Sequence, residues 1–101
     1  MLTFIVTFKC RPVTRETFLE KVRAEGIDAA SRAEEGNLGY DFFLPVGSPD
    51  DLLLIEKYTD DPAVFSHAGQ PHIKKLVALK DEYVADMAME RYEGDGKMPA
   101  F

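Results

Sequence analysis

A seven-residue run near the middle of the chain, Leu52-Leu53-Leu54-Ile55-Glu56-Lys57-Tyr58, limits the fold more than any other feature. It follows Pro45-Val46-Gly47-Ser48-Pro49-Asp50-Asp51, a stretch dense in turn formers, and reads as a strand entered from a turn. Side chains alternate between the faces of a strand. Leu52, Leu54, Glu56 and Tyr58 therefore share one face, and Leu53 and Ile55 lie on the other. Both faces are apolar, so a sheet built around this strand cannot leave either one wet. Helices cover one face. The simplest cover for the other is a second copy of the chain.

The remaining segments set the element order. Leu2, Phe4, Val6, Phe8 and Cys10 alternate with Thr3, Thr7 and Lys9, with Ile5 the exception, and Pro12 ends this strand. Thr14 takes an N-cap position with Glu16 in the first turn. Phe18, Val22, Ala29, Ala30 and Ala33 recur at helical spacing. Gly26 interrupts them, which a close approach to the sheet would explain, and Gly36 stops the helix. Leu38, Tyr40, Phe42 and Leu44 mark a second strand, joined to the central run as a hairpin. Asp60 or Asp61 caps a short helix reaching about His67. Gly69 and Pro71 break it, and a second piece runs from Pro71 to about Leu79. Tyr83 to Tyr92 alternates weakly and reads as the last strand. One domain spans 1–92, and 93–101 reads as a flexible tail. The order β-α-β-β-α-β with right-handed crossovers is a ferredoxin-like α+β fold, a four-stranded antiparallel sheet with its helices on one face.

Composition narrows the partners. A chain of 101 residues, 46% of them hydrophobic, builds one domain with a small core. A net charge of −6 repels phosphate backbones and acidic lipid surfaces, which argues against nucleic acid and membrane partners. The one cysteine, Cys10, cannot form an internal disulfide, which fits a reduced cytoplasmic compartment. At the end of an apolar strand it reads as a packed hydrophobe rather than a nucleophile. The N-terminus has no leading basic residues and no small-residue cleavage site, and no apolar run approaches the ~20 residues of a membrane span.

Chemistry-bearing residues gather between Glu35 and His72. Glu56 is either a structural acid near the sheet edge or a pocket acid whose pKa desolvation raises. Tyr58 is either core aromatic packing with its hydroxyl satisfied or a residue that orients substrate or His67. His67, at the end of a helix folded over the sheet, is either an acid–base group or a helix-end imidazole bonded to a carbonyl. His72 follows five residues later. A metal is not expected, because no third ligand of clear spacing accompanies the two histidines. Asn37 suits a turn and Tyr40 the apolar face of its strand. No phosphate-cradling loop, dinucleotide fingerprint or cysteine pair is present, so no organic cofactor is expected.

The spacing Glu35-Gly36, Tyr40, Glu56-x-Tyr58, His67 and Pro71-His72 is similar to that of the antibiotic biosynthesis monooxygenase (ABM) domains, particularly the quinol monooxygenase-like members, over residues 2 to 90. The resemblance implies a homodimer of ferredoxin-like subunits with sheets packed face to face, a dimeric α/β barrel, and a pocket between sheet and helices in each subunit. Several members oxygenate quinols and polyketide anthrones without metal or flavin, the deprotonated substrate supplying electrons to O2. Others isomerise a phosphorylated autoinducer, and some degrade haem. Many members carry Trp where this chain has Tyr58, and the absence of any Trp argues against haem degradation.

The resulting expectation is a cytoplasmic, cofactor-free monooxygenase of a small quinol-like or polyphenolic molecule. His67 acts as base or hydrogen-bond donor, Tyr58 and Glu56 orient it or the substrate, and His72, Asn37 and Tyr40 line the pocket. An isomerase using the same residues is the second reading, with Lys57, Lys74 or Arg91 as anion-binding groups. A non-catalytic dimeric ligand-binding module is the third.

Overall fold

The structure, a computed structural model, describes residues 1–99; Ala100 and Phe101 of the expected tail lie outside the described residues. The elements are β1 (Leu2–Cys10), α1 (Arg15–Ala24), α2 (Ile27–Arg32), β2 (Asn37–Phe43), β3 (Asp51–Tyr58), α3 (Asp61–Ala68), α4 (Pro71–Tyr83) and β4 (Val84–Glu93). They form one antiparallel sheet in the order β2-β3-β1-β4, the ferredoxin-like arrangement. None of the described helices is long and apolar enough to cross a membrane.

Register explains the core. Val6 pairs with Leu54 and Phe8 with Leu52, so the helix-facing sides of β1 and β3 bury Val6, Phe8, Leu52 and Leu54 together. Phe18 and Val22 from α1, Ile27 from α2, Tyr40 from β2 and Leu76 and Leu79 from α4 close over them. At the other end of the same face, Phe4 pairs with Glu56 and Leu2 with Tyr58. Strand alternation thus carries Glu56 and Tyr58 into the interior along with the leucines, and both are buried. On the opposite face Ile5, Leu53 and Ile55 are only half-buried, and Phe43 and Tyr92 are exposed. β4 is an edge strand whose residues beyond Val84 are all exposed.

Two glycines act differently from the sequence expectation. Gly26 ends α1 rather than interrupting a continuous helix. It adopts φ +71°, a left-handed conformation that restarts the chain as α2, and a Cβ there would meet nothing within 4 Å. Close approach occurs instead at Gly36, where φ is +85° and a Cβ would lie 2.7 Å from Ala63 Cβ and 3.0 Å from Thr59 Oγ1. Because α2 starts afresh, its buried residues are Ile27, Asp28 and Ser31, while Ala29 and Ala33 are exposed. Thr14 does not cap α1 through its side chain; its hydroxyl donates to the carbonyls of Arg11 and Tyr83. Asp60 does cap α3, accepting from the Ala63 N–H at 3.0 Å, with Pro62 in the first turn. Helix α4 continues four residues past Leu79, to Tyr83.

Candidate active site

Four side chains from three parts of the chain form a continuous hydrogen-bonded line, to which His72 adds a branch. The Tyr58 hydroxyl donates to Glu56 Oε1 at 2.6 Å. His67 Nε2 lies 3.3 Å from the same oxygen. His67 Nδ1 faces the Glu34 carboxylate, 2.8 Å from Oε1 and 2.9 Å from Oε2. His72 Nε2 reaches Glu34 Oε2 at 2.5 Å. Strand β3 supplies Glu56 and Tyr58, α3 and the start of α4 supply the imidazoles, and the turn after α2 supplies Glu34. Gly36 makes the assembly possible: the close approach of Ala63 docks α3 against this turn, and the Thr59 N–H bonds to the Gly36 carbonyl at 2.9 Å.

Electrostatics set the state of the ring. Burial alone pulls the His67 pKa down, but its hydrogen bonds to Glu56 and Glu34, together with their charges, outweigh burial and leave it above the ordinary value. A neutral imidazole has one N–H, whereas both ring nitrogens here face carboxylates, so the surroundings favour the doubly protonated ring. Burial, followed by the neighbouring Glu56 charge, pushes the Tyr58 phenol far above its ordinary pKa and keeps it a donor.

Beside this line lies a cavity of about 220 Å³ between the sheet and helices α3 and α4. Its walls are mainly apolar, including Phe4, Val6, Leu54, Ile73 and Leu76. Glu56, Tyr58 and His67 form its polar end, Tyr40 adds a ring, and Lys80 stands among Met87 and Met89.

Of the residues singled out in the sequence, Glu56, Tyr58, His67 and Tyr40 border the cavity. His72 sits behind Glu34, and Asn37 donates its amide to the Gly39 carbonyl at 3.2 Å, within a β2 irregularity; neither borders the cavity. Glu34, rather than its exposed neighbour Glu35, completes the network. The available signal was helical: Ile27, Ser31 and Glu34 fall at i, i+4 and i+7 from the restarted helix. Glu34, His67 and His72 also bring three potential ligand atoms within 4.8 Å of one another, the third group that the two histidines lacked in sequence. Their mutual distances are those of shared protons, which a divalent cation would have to displace.

The sequence profile of the family described as "Antibiotic biosynthesis monooxygenase" matches residues 1–79. The chain belongs to the antibiotic biosynthesis monooxygenase family. It is 34% identical over 85 residues to a Bacillus subtilis (strain 168) protein named "Putative monooxygenase YcnE", covering 84% of this chain and 87% of that one. Among solved structures, PA3566 from Pseudomonas aeruginosa superposes with a TM-score of 0.81 at 26% identity, covering 90% of each chain. A Nitrosomonas europaea protein named "Putative antibiotic biosynthesis monooxygenase" superposes with a TM-score of 0.85 at 22% identity, over 94% of this chain and 99% of that one, which speaks to the fold. ABM membership and the fold agree with the sequence expectation, and the family match together with the 34%-identical relative supports a monooxygenase-like function.

Proposed function

We propose that the chain is a cofactor-independent monooxygenase of a small hydroxylated aromatic molecule, with Glu56 as the base. The observation that carries this reading is a buried carboxylate at the end of an apolar cavity, held by two donors through one oxygen. Tyr58 and His67 both address Oε1, and Oε2 has no protein partner among the described residues. That free oxygen is the one to take a phenolic proton. His67, protonated between Glu34 and Glu56, serves as a donor and a fixed positive charge beside the developing phenolate. The apolar walls exclude water from the electron-rich anion. The phenolate supplies all four electrons to O2: one oxygen atom enters the ring as a carbonyl, the other leaves as water with the hydroxyl proton and the displaced ring hydrogen, and the product is the quinone. His72 and Glu34 hold the imidazole in place.

The same reading includes a homodimer formed through the sheet face opposite the helices. Half-buried Ile5, Leu53 and Ile55, exposed Phe43 and Tyr92, and the open edge of β4 support it.

Oxygen uptake against a panel of quinols and phenols tests the reading. Uptake that falls at least ~100-fold in Glu56→Gln is expected, since a positioned base typically contributes ~10²–10⁴-fold. Absence of uptake across the panel, or full activity in Glu56→Gln, overturns it.

A further inference from the structure

Lys80 occupies a position where the fold calls for an apolar residue. Ile73, Leu76 and Lys80 fall at i, i+3 and i+7 on α4, one face of the helix, and all three border the cavity. Lys80 is half-buried and makes no ion pair among the described residues. No acid stands three or four residues away on its own helix, where Leu76, Val77 and Tyr83 are found. The helix-facing positions of β4 offer Met87, Met89, Arg91 and Glu93, the last paired with Arg91 at 3.1 Å, and those of β1 offer Leu2, Phe4, Val6 and Phe8. Among the described residues no carboxylate pairs with this ammonium, and Glu56, the acid that borders the same cavity, is bonded to Tyr58 and His67.

Its place along the cavity is equally informative. Ile73 lies next to His72, at the end where the imidazoles gather. Seven helical residues separate Ile73 from Lys80, about 10 Å at 1.5 Å per residue. The Lys80 backbone thus lies about 10 Å along α4 from the Ile73 end of the cavity, whose polar end is formed by Glu56, Tyr58 and His67. An apolar cavity of ~150 Å³ takes a benzene ring; the 220 Å³ here holds a one- or two-ring body.

We propose that Lys80 is a specificity-determining residue that pairs with an anionic group on the substrate, and that the substrate is a one- or two-ring hydroxyarene with its acidic group at the end remote from the reacting hydroxyl. This deepens the monooxygenase reading and rests on it for the orientation of the hydroxyl. On a chain of net charge −6, an isolated cation is what admits such an anion.

Binding tests this without requiring turnover. Fluorescence titrations compare 6-hydroxy-2-naphthoate, with hydroxyl and carboxylate at opposite ends, and neutral 2-naphthol. Wild type is expected to bind the acid about tenfold more tightly, with the preference eroded by salt. Lys80→Met removes the preference by weakening the acid alone, and Lys80→Arg keeps it. Should Lys80→Met fail to fold, Lys80→Gln and the salt dependence of the wild type decide the matter. Equal affinities in wild type, a preference that survives loss of the ammonium, or no binding of either ligand overturns the inference. Oxygen uptake that is as fast with neutral quinols as with acidic ones overturns it too, while leaving the monooxygenase reading standing. A selective binder that consumes no oxygen does the reverse.

Discussion

Two buried tyrosines flank Glu56, and the chain treats them differently. Tyr58, two residues along β3, donates to Glu56 Oε1 at 2.6 Å. Tyr40, the register partner of Glu56 on β2, is fully buried, yet its hydroxyl has no hydrogen-bond partner among the described residues. Burial is the first cause raising both phenol pKa values, and the Glu56 charge the second. Ser31 lies near enough to temper the rise for Tyr40, but neither hydroxyl reaches hydrogen-bonding geometry and Ser31 Oγ is unpartnered as well. An unsatisfied buried hydroxyl costs ~1–3 kcal/mol. Burial on the same sheet face therefore does not by itself make a functional group. The difference is the line of hydrogen bonds that continues from Glu56 through His67 to Glu34.

The largest expected effect comes from breaking what assembles that line. In Gly36→Ala, a left-handed φ and a Cβ placed 2.7 Å from Ala63 Cβ act together. Overpacking costs ~1–3 kcal/mol and left-handed backbone a further ~1–2 kcal/mol. A drop in stability of about 2–5 kcal/mol is expected in urea unfolding, with α3 displaced and the His67–Glu34 hydrogen bonds broken. Gly26→Ala carries only the backbone cost, because nothing lies within 4 Å of its Cβ. Equal destabilisation at the two glycines would remove the packing role given to Gly36.

Tyr58→Phe comes next. It takes a donor from a buried carboxylate, so a destabilisation of ~1–3 kcal/mol is expected. Glu56 also becomes less firmly aimed, and kcat should fall while KM changes little. Denaturant titration beside oxygen uptake reads both, and an unchanged kcat would detach Tyr58 from the chemistry.

These contrasts also mark how far the sequence could be read. β1 and β3 were legible because alternation survives any uncertainty about ends, and Glu56 and Tyr58 followed from the face of the leucines. Glu34 was not legible while Ala29, Ala30 and Ala33 were read in phase with Phe18 and Val22. The left-handed Gly26 resets that phase, and a local backbone angle leaves no periodic trace. Lys80 fell just beyond a helix ended at Leu79, because the last turn of α4 is Lys80-Asp81-Glu82-Tyr83, three charges in four residues. The three cations considered as anion sites lie elsewhere. Lys57 and Lys74 are exposed, and Arg91 pairs with Asp61 and Glu93 at 3.1 Å each.

The bonded side of Glu56 should also respond to pH. The folded-state pKa of His67 is raised, so its charge stabilises the fold fully below the unfolded value of ~6.5. That contribution is lost as pH rises through the folded-state value. Wild type should therefore lose Tm relative to His67→Gln above pH ~6.5, and oxygen uptake should decline along the same limb as the ring gives up its charge. A wild-type Tm that instead falls relative to His67→Gln as pH drops below ~6.5 would show a neutral ring in the native protein.

The smallest effect is expected on the unbonded side. Tyr40→Phe removes a hydroxyl that has no partner and keeps a ring that packs edge-on against Phe42, with centroids 5.7 Å apart. Losing an unsatisfied buried group is neutral or stabilising, by up to ~1 kcal/mol. The Tyr40 ring also borders the cavity and lies 5.8 Å from the His67 ring, an arrangement that phenylalanine preserves. Unchanged kcat and an equal or higher Tm are therefore expected, in contrast with Tyr58→Phe. A clear loss of Tm would mean that a bound water joins Tyr40 to Ser31, and Ser31→Ala should then destabilise to a similar extent with no further loss in the double variant. A clear loss of kcat at unchanged Tm would place the Tyr40 hydroxyl in the reaction and dissolve the asymmetry between the two tyrosines.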